Sequence, residues 1–487
     1  MNQLVAATVG PQYSLLAPEI TLAIIGIIIL SIGLMIPKGP RKGMVPLTIL
    51  GLGVTIAVTF GQFSANTQGT FLDGMYITDG FASFFKLLFL VAALLVVLSS
   101  TDYVQKLPGH RGEFYALILF AALGMMVMSG AGDLITLYIG LELMTISFYI
   151  LVAYLVDNPK STEAGLKYLV LGAASSAVFL YGVSFLYGLT GSTVISEIAA
   201  GLGTDFSPAS ILAVVLVLAG FAFKISLIPF HMWAPDIYEG APTPITAYLA
   251  VASKAAGFAA LLRVFLIGLK TQALTGTPEL VLAVLIATTM IVGNLMAIPQ
   301  KNFKRLMAYS SIAQAGYISV GLLIGTDQGV KGVLFYSMIY VFANMGAFTV
   351  ATMVSTNQGS EDIKDFAGLS RRSPLAAAVM TVSLLSLAGI PPLAGFVGKF
   401  YLFKALLDQG WVPLVFIGFI MSMISVYYYL LVVRTMYMEE GEGLPVISAG
   451  GAIKFTLLVT MLVTLFLGIY PSPLADMATK AATTLFQ

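Results

Sequence analysis

Residues 218–257, LAGFAFKISLIPFHMWAPDIYEGAPTPITAYLAVASKAAG, decide the reading of this chain. Two apolar runs flank a proline-rich turn, and each run holds one lysine, Lys224 and Lys254, among apolar neighbours. An ammonium at bilayer depth costs at least about 2.5–3.5 kcal/mol, so such a placement calls for a partner and a use. Pro229, Pro235, Pro242 and Pro244 interrupt the helix just past Lys224. Interrupted helices persist inside membranes where they line protein-enclosed or watery space. The stretch reads as part of a proton path through a membrane.

Composition supports that setting. The chain has 487 residues, of which 58% are apolar and 10% charged, and its mean hydropathy is +0.95. Soluble domains carry about 25% charged residues, so this is an integral membrane protein with no room for a soluble domain between its apolar runs. A net charge of +1 with no basic block gives no support for a nucleic-acid partner. The absence of cysteine excludes disulfides, thiolate-held iron–sulfur clusters and Cys-based zinc sites, and two histidines are too few for haem. No basic segment precedes the first apolar run, so insertion is expected to rely on the first spans themselves.

Hydropathy and length predict fourteen spans: 18–36, 44–62, 81–99, 113–130, 132–155, 163–188, 209–229, 244–267, 279–298, 304–324, 331–354, 374–407 (interrupted), 411–435 and 453–470. Period-2 alternation is missing, which excludes a barrel. The predicted fold is an all-α bundle in one polytopic membrane domain. Its parts are three N-terminal helices (1–112), a first five-helix unit (113–268), a second (279–436) and a C-terminal helix (437–487).

The two units follow from an internal repeat. Leu218-Ala219-Gly220 before one helix break recurs as Leu387-Ala388-Gly389 before another, and an offset of 169 carries spans four to eight onto nine to thirteen. An odd number of spans per unit requires the second copy to be inverted in the membrane, as in ion-translocating machines. Sidedness follows from the basic residues. Lys38, Arg41, Lys42, Lys106, Arg111, Lys160, Lys167, Lys301, Lys304, Arg305, Lys364, Arg371, Arg372, Arg434 and Lys454 fall on one side, fifteen of the 24. Lys86, Arg263, Lys270, Lys331, Lys404 and Lys480 fall on the other, so both termini are expected on the periplasmic face. Asp236 and Glu239 form an acidic exception on the basic side.

Five residues are candidates for proton chemistry. Glu142 is the only ionisable carboxylate of Thr136–Tyr154. A carboxyl held by helix packing is its plainer role, but intramembrane charges are functional by default, and the expected partner is Lys224. A carboxylate favours the protonated lysine and desolvation the neutral one, so loosening the pair would push a proton onward. Lys254 lies about ten residues into its span, roughly 15 Å from the end. Snorkelling fails for it and for Lys224 on position.

Lys399 follows the second break, LAGIPPLAGFVGKFYLF, where a lysine reaching for the far interface is the bland alternative. Under the offset Lys224 maps onto Leu393, six residues before Lys399. His231, after Pro229-Phe230, suits a relay between Lys224 and Lys254 as well as a hydrogen-bonded cap. His110 reads as solvated, Asp133 as a helix cap, Tyr427-Tyr428-Tyr429 as packing and Lys304-Arg305 as membrane-surface charge.

The run Pro229-Phe230-His231-Met232-Trp233-Ala234-Pro235-Asp236-Ile237-Tyr238-Glu239-Gly240-Ala241-Pro242-Thr243-Pro244 resembles the signature of the antiporter-like subunits of respiratory complex I, the proton-pumping NADH:quinone oxidoreductase. Those subunits are similar to the large membrane subunits of multisubunit cation/proton antiporters. Lys399 in the twelfth span, the end of the chain just past span fourteen and the run Gly165–Ala173 resemble the N-type subunit.

The resemblance implies Glu142 and Lys224 as a modulating ion pair, Lys254 as central relay and Lys399 as the releasing group. It implies no cofactor in this chain, with flavin, iron–sulfur clusters and quinone in partner subunits. It further implies M-type and K/J-type membrane neighbours in the lipid bilayer of a bacterial cytoplasmic (inner) membrane. An antiporter subunit working without electron transfer, and a scaffold conducting nothing, are the rival readings.

Overall fold

The computed structural model describes residues 13–35, 43–107, 111–202, 207–269, 276–441, 443–444 and 446–487. Lys38, Arg41, Lys42, His110 and Lys270 lie outside the described residues. Among those described, thirteen helices are long and apolar enough to cross a bilayer. The remaining predicted span, 374–407, is divided in two.

The first helices are α1 (Ala17–Met35), α2 (Met44–Ser64) and α3 (Gly80–Ser99). The next group is α4 (Arg111–Gly130), α5 (Leu134–Val152), α6 (Pro159–Thr190), the broken helix α7a (Pro208–Ile225) and α7b (Trp233–Gly240), and α8 (Thr243–Gly268). Then come α9 (Thr277–Ala297), α10 (Phe303–Ile324), α11 (Asp327–Gln358), the broken helix α12a (Pro374–Ala388) and α12b (Ala394–Asp408), and α13 (Val412–Met438). The chain closes with α14 (Gly451–Ile469) and α15 (Ser472–Leu485).

Side-chain caps fix where these helices start. Asp79, Asp133, Asn158, Ser207, Asn302 and Thr326 each accept a bond from a backbone N–H in the first turn of α3, α5, α6, α7a, α10 and α11, satisfying a donor that has no intrahelical partner. Asp133 is thus the cap expected from the sequence.

Element starts repeat along the chain. Leu134, Pro159 and Thr243 open α5, α6 and α8, and Phe303, Asp327 and Val412 open α10, α11 and α13, at offsets of 169, 168 and 169. Local detail repeats with them. Leu134 N–H donates to Thr193 O and Ile195 N–H to Gly132 O; Phe303 N–H donates to Glu361 O and Ile363 N–H to Lys301 O. In both units the connection after the long helix pairs with the cap of the helix before it.

The breaks do not obey the offset. α7a ends at Ser226 in the left-handed region (φ 61°), and the helix resumes at Trp233. α12a ends at Gly389 (φ 87°), where glycine tolerates the conformation, and resumes at Ala394. The second break therefore comes six residues early, and Lys224 precedes its break while Lys399 follows its own. Gly395 is required there, because a Cβ would sit 1.8 Å from Ser386 O.

The interior consists of α3, α8, α10 and α11; α10 is buried at every residue but Arg305, and α8 and α11 nearly throughout. Helices α1, α2, α6, α9, α13 and α14 expose large apolar side chains outward, among them Leu166, Val170, Phe416 and Phe455, the pattern of a lipid-facing surface. Two features have no counterpart in the predicted spans. A hairpin pairs Gly69–Phe71 with Tyr76–Thr78 between α2 and α3. α15 packs on α3, with Phe81 N–H donating to Thr484 Oγ1 at 2.9 Å and Lys480 reaching Phe63 O at 3.1 Å.

Three basic residues expected at membrane surfaces lie inside. Lys86 is fully buried against Glu19 at 3.0 Å, and Tyr76 donates to the same carboxylate at 2.6 Å. Arg263 is buried against Asp79 at 2.9 Å. Lys304 is buried between Glu361, at 3.3 Å, and Ala241 O, at 3.0 Å. Proximity to a span end in sequence placed them at the surface; flanking helices and the hairpin cover them.

Breaking a buried pair strands the remaining charge at a cost of about 3–5 kcal/mol, whereas neutralising both partners is often nearly neutral. Lys86→Met should therefore lower the thermal stability of the assembled protein markedly. The double change Lys86→Met/Glu19→Gln should recover most of it, as read by the midpoint of heat-induced aggregation.

Candidate proton-relay site

Lys224, Lys254 and Lys399, unlike the buried Lys86 and Lys304, do not contact carboxylates. Lys224 Nζ, in the last turn of α7a, donates to Thr145 Oγ1 of α5 and lies 5.7 Å from the Tyr168 ring of α6. Lys254 Nζ donates to Ser311 Oγ at 2.8 Å and Ser311 O at 3.0 Å. Lys399 Nζ folds back across the second break to Leu387 O (3.0 Å), Ala388 O (3.1 Å) and Ser422 Oγ (2.8 Å). Those two carbonyls end α12a, where the helix dipole and unsatisfied acceptors favour a cation. All three side chains are at most 4% exposed.

Glu142 and Lys224 are not in direct contact in this conformation. Glu142 is half-buried and accepts from Ser176 Oγ at 2.6 Å. Thr145, the hydroxyl that holds Lys224, stands one turn further along α5, and residues three apart share a helix face. The expected ion pair is thus replaced by a hydroxyl adjoining the carboxylate.

His231 sits in the connection between α7a and α7b and makes no hydrogen bond to either lysine; its Nδ1 is buried without a partner. It forms no hydrogen-bonded bridge between Lys224 and Lys254. An aromatic series stands there instead. Tyr168 stacks on Trp233 at 5.2 Å, Trp233 meets Tyr238 at 6.2 Å, and Lys254 Nζ lies 5.9 Å from the Tyr238 ring. Trp233 Nε1 also donates to Phe223 O at 2.8 Å, binding the start of α7b to the end of α7a.

From Lys254 a string of polar groups leads toward Lys399, with no direct hydrogen bond between Ser311 and the next members. Ser311 lies on α10 beside Ser310 and one turn before Gln314. Gln314 accepts from the Tyr336 hydroxyl and donates to Leu387 O at 3.1 Å, the carbonyl that Lys399 also holds. Tyr429 hydrogen-bonds Ser310. Tyr428 donates to Asn294 Oδ1 at 3.0 Å, and Asn294 donates to the Tyr317 hydroxyl at 3.1 Å. The Tyr317 ring lies 4.5 Å from Lys399 Nζ. Of the tyrosine run read as packing, Tyr428 and Tyr429 are fully buried in this network, and only Tyr427 faces outward.

Several buried polar atoms beside the string have no protein partner: Tyr168 OH, Ser226 Oγ and Ser253 Oγ near Lys224, and Ser337 Oγ, Tyr340 OH and both amide atoms of Asn344 on the α11 side. A cavity of about 10 Å³, the space of a single water, is lined by Lys254, Ser311, Gln314, Ser337 and Tyr340.

The acidic exception on the basic side is a tie between helices. Asp236 accepts from Lys167 and Arg305, both at 2.8 Å, and Glu239 from Lys160 at 2.9 Å and Arg305 at 3.1 Å. The hydrogen bond from Lys167, with that from Arg305, holds the Asp236 carboxyl below its ordinary range. Beside this tie opens a polar cleft of about 470 Å³, lined by Lys160, Glu239, Lys304, Glu361 and Asp362. Thr243 at the start of α8 donates to Glu361 at 2.8 Å.

The missed residues had one sequence signal. α10, FKRLMAYSSIAQAGYISVGLLI, has the lowest hydropathy of the thirteen spans and is the most fully buried of them. A polar stripe in a helix without lipid contact faces protein or water.

Comparison with known proteins agrees with this architecture. The profile of the NADH:quinone oxidoreductase/Mrp antiporter transmembrane family matches residues 131–425. The chain is 60% identical to NADH-quinone oxidoreductase subunit N of Desulfitobacterium hafniense, over 97% of this chain and 99% of that protein. This chain belongs to the subunit N branch of the NADH:quinone oxidoreductase/Mrp antiporter family. It is also similar to a chain of respiratory complex I from Thermus thermophilus (33% identity, TM-score 0.80, 95% of this chain and 99% of that one). A chain of the Mrp complex from Dietzia shares the fold (20% identity, TM-score 0.86, 98% and 97% covered). The family match spans both helix breaks and includes Lys224, Lys254 and Lys399.

Gln314 is the joint of the string, touching Tyr336, Tyr429 and the carbonyl shared with Lys399. Gln314→Leu should slow proton pumping by the assembled complex about tenfold, equivalent to ~1.4 kcal/mol, as read by acidification of inverted vesicles.

Proposed function

We infer that this chain is the antiporter-like, proton-translocating membrane subunit of a complex I-type NADH:quinone oxidoreductase, working as part of a translocase and performing no redox chemistry itself. The observation that carries the reading is a set of three buried ammonium groups, each cradled by hydroxyls or carbonyls and none neutralised by a carboxylate. Such groups can gain and lose a proton without first breaking an ion pair. Quinone reduction in partner subunits supplies the driving force, and flavin, iron–sulfur clusters and quinone belong to those partners. Moving one charge against 100 mV requires about 2.3 kcal/mol, an amount that rearranging one buried ion contact can supply.

In this reading protons enter from the cytoplasm through the polar cleft beside Lys304 and Glu361 and load Lys254. They pass along Ser311, Gln314 and the α13 tyrosines, with water serving the unpartnered hydroxyls, and leave through Lys399 toward the periplasm. Closing Glu142 onto Lys224 holds charge at the first site, and loosening it releases the charge toward Lys254. His231 acts at the mouth of this route, beside the break. Both termini face the periplasm, because the Lys160, Lys167, Lys304 and Arg305 cluster gathers basic charge at the opposite end. The two five-helix units are inverted copies within a bacterial cytoplasmic membrane, and M-type and K/J-type subunits are the neighbours. Overall identity of 60% to a subunit N protein favours this reading over an independent cation/proton antiporter, for which the Dietzia likeness supplies fold alone.

Lys254→Met in the intact complex should leave assembly in place and abolish this subunit's share of pumping, measured as protons moved per NADH oxidised. Unimpaired pumping by an assembled variant would remove Lys254 from the relay.

A further inference from the structure

Ser253 is buried to 1% exposure, and its Oγ has no hydrogen-bond partner. It closes a π-helical turn, Leu249–Ser253, immediately before Lys254; such turns re-aim side chains and concentrate at functional positions. Its direction is set by Gly257, four residues on and on the same face, where an added Cβ would lie 3.6 Å from Lys224 Cβ. Ser253 therefore belongs to the face of α8 turned toward α7a and Lys224. Tyr168, whose ring lies 5.7 Å from Lys224 Nζ, faces Ser253 across this space, its hydroxyl within reach of Ser253 Oγ but without a bond of ordinary length.

The internal repeat shows what such a serine can hold. At an offset of 169, Ser253 corresponds to Ser422, and Thr145 to Gln314. Ser422 Oγ accepts from Lys399 Nζ at 2.8 Å and donates its own hydrogen bond to Ala388 O at 2.8 Å. Gln314 does not touch Lys399 but shares the Leu387 carbonyl with it. In the second unit the lysine rests on the serine of the helix after the break. In the first it rests on Thr145, and the equivalent serine holds no ammonium. The two copies thus hold their lysines on different helices, although the lysines themselves are not equivalent under the offset.

We propose that Ser253 Oγ is the second acceptor of the Lys224 ammonium, so that Lys224 alternates between Thr145, beside Glu142, and Ser253, beside Lys254. This rests on the lysine-relay reading above and deepens it, with Ser253 as a positioning residue. On Thr145 the ammonium lies close to the Glu142 helix face. On Ser253 it adjoins Lys254, and two like charges brought together in a low-dielectric interior repel strongly. Arrival of Lys224 at Ser253 thus expels the proton of Lys254 into the α10 string.

The test uses the intact complex in inverted vesicles, with coupled pumping rate and protons moved per NADH as readouts. Ser253→Ala should slow coupled pumping about tenfold, the effect of losing one charge-assisted hydrogen bond. Ser253→Thr keeps the hydroxyl and should restore it. Ser253→Gly takes the place of Ser253→Ala if the alanine variant does not assemble. Normal pumping by Ser253→Ala beside a defective Lys224→Ala overturns the assignment and leaves the relay standing. Equal losses in Ser253→Ala and Ser253→Thr make the position one of packing and also overturn it. Normal pumping in every one of these variants, Lys224→Ala included, overturns the relay reading as well.

Discussion

An ammonium withdrawn from water must find other dipoles, and this requirement organises the molecule. Lys224, Lys254 and Lys399 are each answered by a different local solution: a threonine on α5 for Lys224, a serine hydroxyl with its own carbonyl on α10 for Lys254, and the open end of a half-helix for Lys399. These solutions demand small polar residues on the neighbouring helices and backbone that stops mid-membrane. Both appear where the lysines need them. A carboxylate contact would hold a cation more firmly, and among the other buried cations Lys86, Arg263 and Lys304 each have one.

That division separates anchoring charge from working charge. The paired ions join α1 to α3, α3 to α8, and α10 to the connection after α11, fixing the helices that carry the string. The unpaired ammonium groups keep the freedom to change partner. Helix starts recur at an offset of 168–169 while the second break comes six residues early, so Lys224 and Lys399 lie on opposite sides of similar interruptions.

Much of this was legible in the sequence. Lysines within apolar runs are outliers that need no structure to notice, and proline and glycine mark the breaks because they remove donors or permit left-handed backbone. The cap at Asp133 and the offset of 169 were equally readable. Helix rotation was not. Which face of α5 turns Thr145 toward Lys224 while directing Glu142 to Ser176, and which residues of α13 point inward, depend on packing among several helices. The same ambiguity made Tyr428 and Tyr429 look like filler and left Ser310, Ser311 and Gln314 unnoticed. Lys86, Arg263 and Lys304 were misplaced because nearness to a span end says nothing of what a hairpin or a neighbouring helix covers.

The central claim is that buried lysines exchange protons through hydrated polar contacts. A density map of the assembled complex, sharp enough to show ordered water, tests it most directly. The account predicts waters bridging Tyr168, Ser226 and Ser253 near Lys224, and Ser337, Tyr340 and Asn344 near Lys254, continuous with the contacts of Lys399. Dry side-chain packing around each lysine, with no water between them, would contradict it.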